Sequence, residues 1–208
     1  MLVMDEALQA SLEALARAGR IAVDRNLTLV TGGNFSCRTG NGIAITLSGT
    51  WLDRLDTTSF GYVPLKGDPD PDQPPVSVEW QMHQAAYQAR PDAACVLHLH
   101  PQLCVMIDAL GDQIRFVTLD HVYYALQYGR VPYLASGSSE LAAAAAAQIT
   151  ANDTVILAHH GTLTVAENAD LALQRLMNLE QAALMTYRLM QVGRSDGDFP
   201  DPGAALSI

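Results

Sequence analysis

The segment from Phe35 to Thr46 places the strongest limit on how this chain can fold. Phe35 to Arg38 reads as a strand, Thr39-Gly40-Asn41-Gly42 as a tight turn, and Ile43 to Thr46 as a second strand. A connection that short joins only antiparallel neighbours, because a parallel pair needs a crossover of about a dozen residues or more. A doubly wound parallel sheet is therefore excluded. Around this hairpin, helical and strand patterns alternate. Met4 to Arg25 spaces Leu8, Leu12, Leu15, Ala16, Ala18 and Ile21 at mostly three- and four-residue steps, the pattern of an amphipathic helix. Phe60 to Leu65 reads as a strand, and Lys66 to Pro75 as a surface loop. Ser77 can cap a helix from Val78 to about Ala89. Strands are predicted at Ala93 to Leu99, Arg115 to Leu119, Val131 to Leu134 and Thr154 to Ala158. Helices are predicted at Leu103 to Leu110, Ser138 to Thr150 and Asn168 to Met190. Helices interleaved with short-turn strands predict one α/β domain with a mixed or antiparallel sheet.

Composition then removes function classes. The chain has 208 residues, 49% of them hydrophobic, enough to bury a sizeable core. Twelve Lys and Arg against 22 Asp and Glu leave a net charge of −10, which argues against a nucleic-acid partner and against docking on an anionic membrane. The single lysine, Lys66, lies in the loop sequence Lys66-Gly67-Asp68-Pro69-Asp70-Pro71. Schiff-base catalysis needs a desolvated lysine, so that chemistry is excluded. Cys37, Cys95 and Cys104 form no Cys-x-x-Cys pair and suit a reducing cytoplasm. The N-terminus lacks the pattern of a signal peptide, and no apolar run is long enough to span a membrane.

The residues that carry chemistry cluster in a few motifs. In Val96-Leu97-His98-Leu99-His100, residues two apart on a strand point the same way, so His98 and His100 project together from a buried segment. Two neutral imidazoles so placed are half of a transition-metal site. Leu157-Ala158-His159-His160-Gly161 supplies a third histidine, and geometry alone leaves open which of the two it is. Glu79 begins the predicted helix as a candidate acid/base, with His83 one turn later. Gly32-Gly33-Asn34 and Thr46-Leu47-Ser48-Gly49-Thr50, together with Ser77 at a helix start, offer donors for an anion without a basic side chain.

Taken in order, these pieces resemble the class II aldolase/adducin family, and within it the fuculose-phosphate aldolases. The resemblance rests on Gly33-Asn34-Phe35-Ser36-Cys37-Arg38, Thr46-Leu47-Ser48-Gly49, Ser77-Val78-Glu79 with His83 and Tyr87, Arg90-Pro91-Asp92, His98-Leu99-His100 and His160-Gly161. It implies a three-layer α/β/α fold around a mixed, largely antiparallel sheet, with residues 1–190 forming the domain and 191–208 a flexible tail. It implies a homotetramer with sites between subunits. It assigns a zinc ion, or another divalent transition metal, to His98, His100 and His160. Glu79 ligates the empty site and acts as acid/base. Gly33, Asn34, Ser48, Gly49 and Ser77 receive a sugar phosphate.

Two positions depart from the family. Val78 stands where a second hydroxyl is usual, and Val122 stands where a proton-donating tyrosine is expected, with Tyr123 one residue on. The activity implied is zinc-dependent retro-aldol cleavage of a ketose 1-phosphate to dihydroxyacetone phosphate and an aldehyde, through a metal-stabilised enediolate. Tyr123 is the candidate proton donor. The departures keep a dehydratase of the methylthioribulose-1-phosphate type, an epimerase and a decarboxylase as alternatives. A non-catalytic adducin-like scaffold would not need the complete histidine set.

Overall fold

The computed structural model describes residues 4–125, 127–194 and 196–200. They form a seven-stranded sheet and six α-helices. Helix α1 (Glu6–Asp24) starts on Asp5, whose carboxylate accepts the Leu8 N–H at 2.7 Å. Strands β1 (Gly33–Thr39) and β2 (Gly42–Thr46) are the expected hairpin, with Gly40 at φ 47° turning the chain where a side chain would be strained. Then follow β3 (Phe60–Pro64), α2 (Trp80–Ala89), β4 (Cys95–Leu99), α3 (Gln102–Ala109), α4 (Leu119–Ala125), β5 (Tyr128–Val131), α5 (Ser139–Ile149), β6 (Thr154–Leu157), β7 (Gly161–Ala166) and α6 (Ala169–Gln191). The strand order is β3-β2-β1-β4-β7-β6-β5, and every pair is antiparallel except β5 with β6, which α5 connects.

Strand alternation sorts the core into layers. Phe35, Cys37, Leu97 and Leu99 face α1 and α6, packing with Leu8, Leu12, Leu15, Leu173 and Leu176. Val96, Ile43 and Ile45 face α2 and α5, packing with Met82, Tyr87, Leu141 and Ile149. The in-between residues Asn34, Ser36 and His98 therefore also point toward α2, and all three are buried. Polar side chains at those positions mark the site.

Three expectations change. Helix α2 begins at Trp80, not Val78. Ser77 Oγ accepts the Glu79 N–H at 3.3 Å, so it caps a turn that leads into the helix. Arg115 to Leu119 is not a strand. The Ile114 N–H bonds the Tyr128 hydroxyl, and the Arg115 and Val117 N–H groups bond Thr186 Oγ1 and His121 Nδ1. Side chains thus satisfy a segment that no strand pairs, and α4 begins at Leu119. Strand β5 lies before Val131 and not after it, because Pro132 has no N–H to extend the ladder. Strand β7, between β4 and β6, was not foreseen. At the other end of the chain, Asp198 and Phe199 fold back onto Arg115 and Phe116, and 201–208 lie outside the described residues. No helix among the described residues is long and apolar enough to cross a membrane.

Candidate metal centre and active site

His98 sits inside β4 and is fully buried, and His100 follows just beyond the strand end. After β6 the chain turns at His159, whose φ of 57° is left-handed and whose side chain is exposed. That turn brings His160, not His159, to the cluster. Ring centroids lie 4.8 Å apart for His98 with His100 and with His160, and 5.2 Å for His100 with His160. One nitrogen from each ring lies within 4.8 Å of the others. Two glycines make the room. A Cβ on Gly161 would come 2.4 Å from the Leu99 carbonyl and 2.6 Å from His100 Cδ2. A Cβ on Gly33, at φ 126°, would strike the His98 carbonyl at 2.4 Å.

The donor set fits a divalent metal. His98 Nδ1 donates to the Thr162 carbonyl at 2.8 Å, which leaves the Nε2 lone pair facing the cluster. His98 Nε2 and His100 Nε2 stand 3.0 Å apart, a contact between lone pairs that is repulsive unless a proton or cation lies there. Burial pulls His100 down to about 4, helped by the neighbouring His98 and His160, and also lowers His160. Both are neutral near pH 7, the form that binds metal.

Glu79 ends the turn before α2 and is 5% exposed. Its Oε2 accepts from Asn34 Nδ2 at 3.0 Å and stands 3.0 Å from His98 Nε2. Its Oε1 accepts from Ser136 Oγ at 2.9 Å and stands 3.4 Å from His160 Nε2. Burial alone would raise the carboxyl. With a proton or cation held between His98 Nε2 and the carboxylate, attraction from His98, the Asn34 amide and His160 outweighs it and holds the group well below the usual carboxylate range. Behind Asn34 runs a buried chain. Asn34 Oδ1 meets His83 Nε2 at 2.6 Å, and His83 Nδ1 meets Ser36 Oγ at 2.7 Å. The Tyr87 hydroxyl donates to the Ser36 carbonyl at 2.9 Å.

The proposed phosphate donors meet at the same end of the sheet. The Leu47–Val76 bridge sets Ser48 beside Ser77, and the Phe35 N–H bonds Thr46 Oγ1 at 3.2 Å. Ser48 and Gly49 are exposed, and Gly49 has a left-handed φ of 75°. Asn34 Nδ2 gives one hydrogen to Glu79, and its Oδ1 meets His83. Val78 is 66% exposed beside them.

Other motif residues have structural work. Arg38 donates to the Tyr87, Arg90 and Ala93 carbonyls, covering the C-terminal end of α2. Arg90 does the same for the carbonyls of Ile149 and Asn152 after α5, and pairs with Asp92 and Asp153. His121 is buried, accepting from the Val117 and Thr118 N–H groups at the start of α4. Tyr123 is 60% exposed. It lines a cavity with Arg90, Asp153 and Thr154, at the end of the sheet opposite His100 and His160. The single lysine, Lys66, is exposed on its loop. Sequence reasoning missed Ser136 and the Thr162 carbonyl. Ser136-Gly137 resembles any turn before a capping serine. Only the packed loop shows its purpose, with Gly137 at φ 73° and its Cβ position 3.0 Å from the Val78 carbonyl.

A family model for the class II aldolase and adducin N-terminal domain matches residues 13–187. An L-fuculose phosphate aldolase from Haemophilus influenzae is 33% identical over 167 residues, covering 78% of this chain and 76% of that protein. A 5-methylthioribulose-1-phosphate/5-deoxyribulose-1-phosphate aldolase from Rhodospirillum rubrum is 27% identical over 186 residues, covering 88% and 82%. The crystal structure of L-fuculose-1-phosphate aldolase from Thermus thermophilus superposes with a TM-score of 0.79 at 26% identity, covering 89% of this chain and 97% of that one. With the family model spanning most of the chain, this protein belongs to the class II aldolase and adducin N-terminal domain family, and it is a class II aldolase.

Proposed function

We propose that this enzyme cleaves a ketose 1-phosphate to dihydroxyacetone phosphate and an aldehyde, with zinc or another divalent transition metal as cofactor. His98, His100 and His160 would hold the ion. The observation that carries the reading is the buried Glu79 carboxylate, 3.0 Å from His98 and 3.4 Å from His160, beside an anion cradle. When bound, a divalent ion supplies a Lewis acid for the negative charge that develops on adjacent substrate oxygens.

The chain's own residues do the rest. Ser48, Gly49 and Ser77, with Gly33 and Asn34, receive the phosphate without a lysine. Glu79 moves the proton. Asn34 Nδ2 can only donate, so Oε2 stays an acceptor and the proton belongs on Oε1. There the Ser136 hydroxyl can turn from donor to acceptor. Tyr123, as proton donor to the leaving aldehyde oxygen, has to come from a neighbouring copy. That is one ground for proposing a homotetramer with sites between subunits. Three free, buried thiols support a cytoplasmic setting.

The test is release of dihydroxyacetone phosphate from a panel of ketose 1-phosphates by zinc-loaded protein. No release from any of them, with metal bound, defeats the proposal. Val78, apolar and exposed at the cradle, favours one second reading within the family, a methylthioribulose-1-phosphate-type dehydratase, epimerase or decarboxylase. Product mass separates them: loss of water, no change, or loss of carbon dioxide.

A further inference from the structure

Glu79 touches a donor that heads a buried chain of three side chains, Asn34, His83 and Ser36. An ionised carboxylate only accepts, so the end of Asn34 facing Glu79 must be its NH2 group. Asn34 Oδ1 then faces His83 Nε2 at 2.6 Å, and that nitrogen must carry the hydrogen. His83 Nδ1 is left as an acceptor, and the Ser36 hydroxyl proton points at it across 2.7 Å. The Tyr87 hydroxyl, 3.0 Å from Ser36 Oγ, donates to the Ser36 carbonyl at 2.9 Å. Every member is buried, His83 and Ser36 completely, so no water can substitute. If His83 held its hydrogen on Nδ1, the amide would have to flip. An oxygen lone pair would then face the carboxylate.

We propose that Ser36 and His83 are positioning residues, a buried relay that locks the polarity of the Asn34 amide and so holds Glu79 in its working orientation. The chain is directional: with Glu79 ionised, one arrangement of donors satisfies every member, and that arrangement ends on Glu79 Oε2. Asn34 accordingly gives one hydrogen of its side-chain NH2 group to Glu79. The consequence for catalysis rests on the proposed role of Glu79, but the lock itself does not.

The test has two arms. In zinc-loaded protein with 15N-labelled histidine, the resonance lost in His83→Gln should show a bare Nδ1 and a protonated Nε2 in the wild type. In Ser36→Ala that single tautomer should give way to a mixture. In kinetics, Ser36→Ala and His83→Leu should lower kcat roughly tenfold or more, with zinc content and KM within about twofold. His83→Gln should recover part of the loss, since its amide can still donate to Asn34 Oδ1. A protonated Nδ1 in the wild type overturns the relay, as does unchanged turnover in Ser36→Ala. A wild type inert to every sugar phosphate defeats the proposed reaction instead, and the tautomer arm still decides the relay.

Discussion

Single residues at this site act by what they exclude as much as by what they offer. Glycine at 161 leaves the space that the His98 and His100 rings fill. Gly161→Ala should therefore cost about 2 kcal/mol or more in stability and lower zinc content, as measured by urea unfolding and metal analysis. Full zinc occupancy in that variant would contradict the close packing described. The neighbouring histidines divide their labour. His160→Ala should lose zinc, whereas His159→Ala, at an exposed position, should keep it. Glu79→Gln should fold and bind metal yet lose turnover by roughly a hundredfold or more, because an amide cannot shuttle a proton. Wild-type turnover there would remove Glu79 from the mechanism.

At the scale of elements, helix ends aim the site. Ser138 Oγ caps α5 by accepting the Leu141 N–H at 3.1 Å, two residues after Ser136 contacts Glu79. Asn168 Oδ1 caps α6 by accepting the Leu171 N–H at 2.8 Å. Alanine at either cap should cost about 1 kcal/mol in chemical unfolding. Only Ser138→Ala should also reduce activity, because only α5 delivers a loop to Glu79. Equal activity losses in both would break that link. Glu180 of α6 accepts the N–H groups of Leu103 and Cys104 at 3.0 and 2.9 Å, which fixes the start of α3 just past His100. These ends were partly legible. Ser138 and Asn168 stood where capping residues belong, but nothing near Leu103 in the sequence pointed to Glu180.

For the whole molecule, buried imidazoles make stability depend on pH. Burial takes His83 down to about 3 and His100 to about 4, below the ordinary value near 6.5. Between those values and 6.5, the unfolded chain binds protons that the folded chain refuses. The stabilisation is complete above about pH 6.5 and is lost as pH falls, by about 1.4 kcal/mol per pH unit for each such group. Urea midpoints in chelator should therefore drop between pH 7.5 and pH 5. Identical midpoints would show that these rings are not held neutral.

Read alone, the sequence determined the hairpin, the antiparallel character of the sheet and the His98-His100 pair, because these follow from contacts within a few residues. It also removed lysine chemistry, because one exposed-loop lysine is a matter of composition. Tertiary structure decided what depends on distant partners. It brought His160, the histidine that the family resemblance named, to the cluster through the left-handed turn at His159. It inserted β7 between β4 and β6, and it left Arg115 to Leu119 without a strand to pair. It also set the Asn34 side chain against Glu79. Strand alternation put Asn34, Ser36 and His98 on the face that α2 covers. A side chain's hydrogen-bond partner is set by that packing and not by its neighbours in the chain.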